Sequence, residues 1–260
     1  MRAQAGPVRL GALVLLLASI ALVSGHDAFG QIPDKFSNLR VLPKKIPKDQ
    51  LVQTMRGFSL SLGVRCEHCH AKQAGGPERP GPPELDFASD ELKPKRTARE
   101  MMRMVDAING RYLSRLDLEP KLSVQCVTCH RGVPRPETLG SLLQRTAADS
   151  GVTVAVARYR ALRNKYHGSG SYDFTETTLN MLGEGLLRQG KAADARTFLE
   201  LNAEENAGSS WLQMLLGEAY LATGDKDMAR AAFEKALATD PNNPRLKKRI
   251  EELQGGSAKP

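Results

Sequence analysis

Cys66-Glu67-His68-Cys69-His70 and Cys126-Val127-Thr128-Cys129-His130 are two copies of one C-x-x-C-H pattern, and they use all four cysteines of the chain. This spacing is that of covalent c-type haem attachment. Two thiols three residues apart can bond the two vinyl groups on one edge of a haem. The histidine that follows then supplies an axial nitrogen to iron. Three rival chemistries explain less. Structural zinc pairs usually stand ~15–20 residues apart, and here most of a domain separates them. A thioredoxin-like dithiol belongs beside a βαβ pattern, whereas this region reads as helices and loops. Disulfides suit an exported chain but give no reason for a histidine after each pair.

The remaining composition bounds the class. The chain has 260 residues, 41% of them hydrophobic and 25% charged, so it has room for one or two domains with buried cores. Its formal charge of +8 does not single out nucleic acid. Lys and Arg are spread along the whole chain, and the propionates of two haems would bring the balance to about +4. A basic face for an acidic redox partner and a merely solvated surface both fit.

The first residues read as an export signal. Arg2 and Arg9 precede an almost unbroken apolar run from Leu10 to Val23. That run is shorter than the about 20 residues a membrane-spanning helix needs and has the length of a signal core. Cleavage is expected after Gly25 or Gly30, with an uncleaved signal anchor as the alternative. No cysteine follows the run to carry a lipid. Periplasmic export suits c-type haem, which bacteria attach outside the cytoplasm.

The haem motifs lie in a segment read as residues 31–140. A helix is expected from Pro47 to Leu62, with proline in its first turn and Gly63 just past its end. Its apolar stripe is Leu51, Met55, Phe58 and Leu62, at helical spacing. Ala71 to Pro83 is rich in Gly and Pro, too broken for regular structure. A second helix is expected over Lys95 to Leu113, with the stripe Ala98, Met101, Val105, Ile108 and Tyr112. Each motif therefore follows an amphipathic helix that carries methionine. A thioether can be the second axial ligand of a low-spin haem iron, or it can simply fill core gaps. Met55 stands by itself in the first helix. In the second, Met101 lies on the main stripe, Met104 lies on a neighbouring face, and Met102 points elsewhere.

The C-terminal part repeats. Gly183 and Gly217 are 34 residues apart, as are Gly190 and Gly224, and Ala195 and Ala229. A 34-residue period of helix pairs marks tetratricopeptide repeats. Gly217, Tyr220, Ala229, Phe233, Ala236 and Pro241 fall at the offsets of that pattern. The earlier repeat keeps Gly183 and Ala195 but has Leu186 and Leu199 where aromatics are common. Repeats are expected over 176–255, with Leu246 to Leu253 as a closing helix. Residues 141–175 read as a linker with a degenerate helix around Val154 to Lys165. Gly168-Ser169-Gly170 reads as a hinge.

Several blocks, in order, resemble the photosynthetic reaction-centre cytochrome c subunit family. They are Val41-Leu42-Pro43 through Thr54-Met55 with Cys66 to His70, then Ala88-Ser89-Asp90, Ala98-Arg99-Glu100-Met101-Met102-Arg103-Met104, Ile108-Asn109, and Cys126 to Gly132. The resemblance covers roughly residues 40 to 135. It implies that each haem segment is a helix bearing a methionine ligand, then a turn, then C-x-x-C-H. Carried over, Met55 is the partner of His70 and Met101 the partner of His130, with Met104 in reserve. Members serving purple-bacterial reaction centres often hold four haems, whereas two attachment motifs stand here. Arg115 stands near the place of a family histidine that serves a further haem.

The sequence thus predicts a mainly α chain: a dihaem cytochrome segment with little regular sheet, then a tetratricopeptide-like array. Two c-type haems are expected on Cys66, Cys69, Cys126 and Cys129, with iron held by His70 and Met55 and by His130 and Met101. The expected work is electron transfer with redox protein partners, such as a membrane-bound complex, and a protein partner on the repeats. No nucleic-acid partner and no enzymatic activity are expected. A dihaem redox enzyme such as a peroxidase would need an open sixth site on one iron. A haem-containing scaffold or sensor is the other alternative. His68, inside the first motif, is read as a surface residue; His26 and His167 have no partner pattern. Trp211 is read as packing, and Arg131 as a solvated or propionate-pairing arginine.

Overall fold

The computed structural model describes residues 32–75 and 83–255. The expected export signal lies outside them. The chain is mainly helical, and its two halves are built on different principles. Residues 32–138 wrap short helices and loops around the two motifs, whereas residues 139–255 stack seven helices into a continuous array.

Helix α1 (Lys48–Leu62) begins at Pro47 and stops at Gly63, whose left-handed backbone (φ 65°) closes the last turn. The first motif follows as a tight 3-10 turn, Cys66–His68. Strand β1 (Ala71–Lys72) then pairs antiparallel with β2 (Leu85–Asp86), Ala71 opposite Asp86. The expectation of no regular structure over Ala71 to Pro83 is therefore corrected at Ala71 and Lys72, and residues 76–82 of that stretch lie outside the described residues.

Helix α2 (Lys93–Ala107) has Pro94 in its first turn, where a missing N–H costs nothing. It ends earlier than the stripe predicted. Ile108–Tyr112 widen into a π turn and Leu113–Arg115 tighten into a 3-10 turn. Asn109 explains the change: its side chain donates to the Val124 carbonyl and accepts from the Val124 N–H, both at 2.8 Å. That pair of bonds pins the widened turn to the segment leading into the second motif. The second motif is itself a short helix, α3 (Cys126–His130), and α1 packs against it.

The array consists of α4 (Leu139–Ser150), α5 (Val152–Tyr166), α6 (Glu176–Arg188), α7 (Ala192–Asn206), α8 (Ser210–Ala222), α9 (Lys226–Thr239) and α10 (Pro244–Gly255). The segment read as a linker with one helix thus holds α5 and an additional helix, α4. Thr138 caps α4 by accepting from the Ser141 N–H. Leu139, Leu142 and Leu143 bury into one cluster with Ala155, Leu179 and Phe198. A second cluster joins Leu199, Leu212, Leu216, Phe233 and Leu246 across α7 to α10, and Trp211 packs against it. Each fully buried Leu or Phe contributes on the order of 1.5–3 kcal/mol.

The 34-residue period has a steric origin. A Cβ on Gly217 would stand 2.4 Å from the Phe233 ring, and one on Gly183 would stand 2.6 Å from Leu199. Each glycine lets a large side chain of the following helix press onto its backbone. Leu199 therefore fills the place that Phe233 takes one repeat later.

Candidate functional site

The two motifs present the same atoms on different backbones. In α3 one helical turn sets Cys126 and Cys129 on one face and places His130 just past them. In the first motif the amides of Cys69 and His70 both return to the Cys66 carbonyl, at 3.1 and 3.0 Å. All four thiols are free. Among the described residues, no three or more His, Cys, Asp or Glu side chains converge as a metal-ion site. The motifs thus remain two separate C-x-x-C-H units.

The histidines differ in their second nitrogen. His130 Nδ1 lies 2.9 Å from the Val133 carbonyl. A carbonyl can only accept, so this contact places the proton on Nδ1 and leaves Nε2 with its lone pair. That is the arrangement that orients an imidazole toward a metal. His70 Nδ1 is buried and has no partner among the described residues. The His70 ring meets Phe87 edge-on, with centroids 4.9 Å apart. Burial, reinforced by the nearby Lys95 ammonium, holds the His70 pKa down to about 4. The imidazole is therefore neutral near pH 7 and able to ligate. Burial, followed by the neighbouring Cys66, pushes the Cys69 thiol up.

The start of α2 is locked beside the first motif. Lys95 Nζ donates to the carbonyls of Phe87 (2.8 Å) and Ser89 (2.6 Å). Asp90 joins Arg99 at 2.8 Å, Arg40 at 3.1 Å and Lys95 at 3.5 Å, and it accepts from Asn38. The Arg99 and Asn38 bonds hold its carboxyl well below the usual carboxylate range. Sequence reasoning missed this hub, because its members are far apart along the chain and each looks like a solvated charge.

Met55 is half-buried on α1. Met101 and Met104 are 38% and 45% exposed on α2, and Met102 is half-buried. The helix bearing Met55 packs against α3 with the second motif, while the start of α2 surrounds the first. His68 is exposed, as expected.

The donor set fits a c-type haem at each motif: free thiols in pairs, a neutral or correctly protonated imidazole, and thioethers on the flanking helices. The packing fits as well. Both buried clusters of the described residues start at Leu139 or later. Tyr112, Leu116, Leu122 and Val127 are each about half exposed around the second motif. A flat apolar macrocycle is the kind of group such a surface covers.

Residues 76–181 match the photosynthetic reaction centre cytochrome C subunit family, and residues 186–249 match the tetratricopeptide repeat. A reaction-centre cytochrome c-like segment is joined here to a tetratricopeptide array. The match takes in α2, the second motif, α4 and α5. It begins after the first motif and runs well beyond the residues that carried the sequence resemblance. Cytochrome c-554 of Chloroflexus aurantiacus is 35% identical over 74 residues, which are 28% of this chain and 15% of that protein. The chain therefore spans about 15% of the length of that relative. Among solved structures, the first TPR domain of the human RPAP3 protein aligns at 16% identity over 46% of this chain and 90% of that one, with a TM-score of 0.34. The first TPR of Spaghetti (RPAP3) bound to an HSP90 peptide aligns at the same identity and score, over 94% of its length.

Proposed function

We propose that this chain is an exported electron carrier with two covalently attached haems, and that its repeat array docks a protein partner. The observation that carries the reading is the α3 turn. It sets two free thiols one helical turn apart beside a histidine whose Nδ1 is committed to the Val133 carbonyl, leaving Nε2 for iron. When bound, each haem supplies an iron that cycles between ferrous and ferric.

The chain's own residues do the rest. Cys66 and Cys69, and Cys126 and Cys129, tether the two groups. His70 and His130 would each give one nitrogen to iron. Met55 would be the partner of His70 and Met101 the partner of His130, with Met104 in reserve, as the resemblance to the reaction-centre cytochromes implies. Two filled axial sites suit electron transfer rather than bond chemistry. Residues 31–135 hold 19 Lys and Arg against 12 Asp and Glu, so the positive charge of the chain sits on the cytochrome half. A basic surface around the haems steers toward an acidic redox partner. The array adds an elongated helical surface of the kind that binds proteins. The apolar run before Ser24 supports export to the periplasm.

The test is a redox titration with optical and magnetic spectra on protein matured in a host that attaches c-type haem. Two centres are expected, with an intact mass of polypeptide plus two haems. Met55→Ala and Met101→Ala should each turn one centre high-spin or lower its potential. A mass equal to the bare polypeptide would overturn the reading. Spectra unchanged by either substitution would overturn the methionine assignments.

A further inference from the structure

One peptide group, between Arg131 and Gly132, is bonded at both ends to different parts of the protein. Its carbonyl accepts from Ser171 Oγ at 2.6 Å, and its N–H donates to the Ser61 carbonyl at 2.8 Å. Ser61 lies in the last turn of α1, just ahead of the first motif. Ser171 lies in the loop between α5 and α6 of the array and is 3% exposed. The residues after it are anchored in the array: the Tyr172 ring meets Tyr166 at 5.6 Å, and Phe174 meets Tyr159 at 5.8 Å. The clamped peptide begins one residue after His130. Two carbonyls further along, that of Val133 holds His130 Nδ1 at 2.9 Å.

We propose that Ser171 is a positioning residue for His130, through which the repeat array sets the orientation of the second haem-ligating imidazole. The proposal rests on the reading of His130 as an iron ligand. Arg131 (φ 48°) and Gly132 (φ 84°) are both left-handed, so the turn has few ways to relax without moving the Val133 carbonyl. Weakening the Nδ1–H bond to that carbonyl lowers the basicity of the ligand. Less basic imidazole stabilises the ferric state less, so the second centre becomes easier to reduce. A partner that shifts the array would act on the second centre by the same route.

The test compares full-length, haem-matured wild type with Ser171→Ala. The Gly132 and Val133 amides should exchange about fivefold faster in the variant, the factor allowed by about 1 kcal/mol for one lost hydrogen bond. The potential of the second centre should move upward while that of the first stays fixed. Gly132→Ala strains the same peptide, its new Cβ lying 3.4 Å from Ser171 Oγ, so its shift and that of Ser171→Ala should be non-additive in the double variant. Unchanged exchange and an unchanged second potential, with two haems counted by mass, overturn the proposal; so do fully additive shifts. If Ser171→Ala fails to accumulate, wild-type exchange decides. Gly132 and Val133 protected like the array core support the proposal, and protection typical of an open loop overturns it. A mass lacking the second haem shows separately that the underlying reading has failed, and the proposal fails with it.

Discussion

A Cβ placed on Gly63 would come within 2.1 Å of the Gly132 carbonyl oxygen. The end of the first helix and the turn after the second motif therefore touch backbone to backbone. No side chain fits between them, and Gly63 also holds a left-handed φ of 65°. Gly63→Ala should destabilise the chain by more than about 2 kcal/mol, from strain together with a backbone clash. Gly57→Ala is the control: nothing lies within 4 Å of its Cβ position, and a mid-helix alanine should be neutral or stabilise by up to about 1 kcal/mol. Thermal unfolding of both variants checks the pair.

Phe233 presses on Gly217 in the array as Leu199 presses on Gly183. Gly217→Ala should cost about 1–3 kcal/mol by overpacking. In a chain that carries Phe233→Ala the same glycine substitution should cost less, because the ring that the new methyl meets is gone. A double-mutant cycle by chemical denaturation measures the coupling, and strict additivity would contradict the contact.

Asp90 gives the chain an acid-sensitive lock. Its folded pKa lies below the ordinary 3.8, chiefly through Arg99 and then Asn38. A depressed carboxylate stabilises fully above its unfolded value and loses that contribution as pH falls below it. Asp90→Asn should therefore be less stable than wild type at pH 7, with the gap shrinking below about pH 4. Denaturation curves at pH 7 and pH 3 report the sign. A gap that widens in acid would refute the assignment.

On the proposed dihaem reading, the two histidines predict unequal centres. His130 donates from Nδ1 to Val133, whereas His70 packs against Phe87 with a buried Nδ1 that has no partner among the described residues. A hydrogen-bonded imidazole is the more basic ligand and stabilises ferric iron more. The centre at His130 should have the lower potential of the two. Resolving the titration with His130→Gly and His70→Gly variants assigns each wave to its motif.

The sequence by itself determined the local elements and pointed to the chemistry proposed for them. Cysteine spacing named the thiol pairs and their histidines, because three residues span one turn whatever surrounds it. The Leu51 to Leu62 stripe and Gly63 delimited α1, and glycines 34 residues apart marked the repeats, because these signals are written in neighbouring positions. Tertiary structure decided what depends on distant groups. Asn109 bonded to Val124 turns the end of α2 into a π turn. Asp90 becomes a hub only when Asn38, Arg40 and Arg99 arrive from separate segments. The partner of His130 is the Val133 carbonyl, and what holds that turn is Ser171 on one side and Ser61 on the other. Every residue has a backbone carbonyl and an amide, so no side-chain pattern announces which of them will meet; only the folded path of the chain selects the pairs.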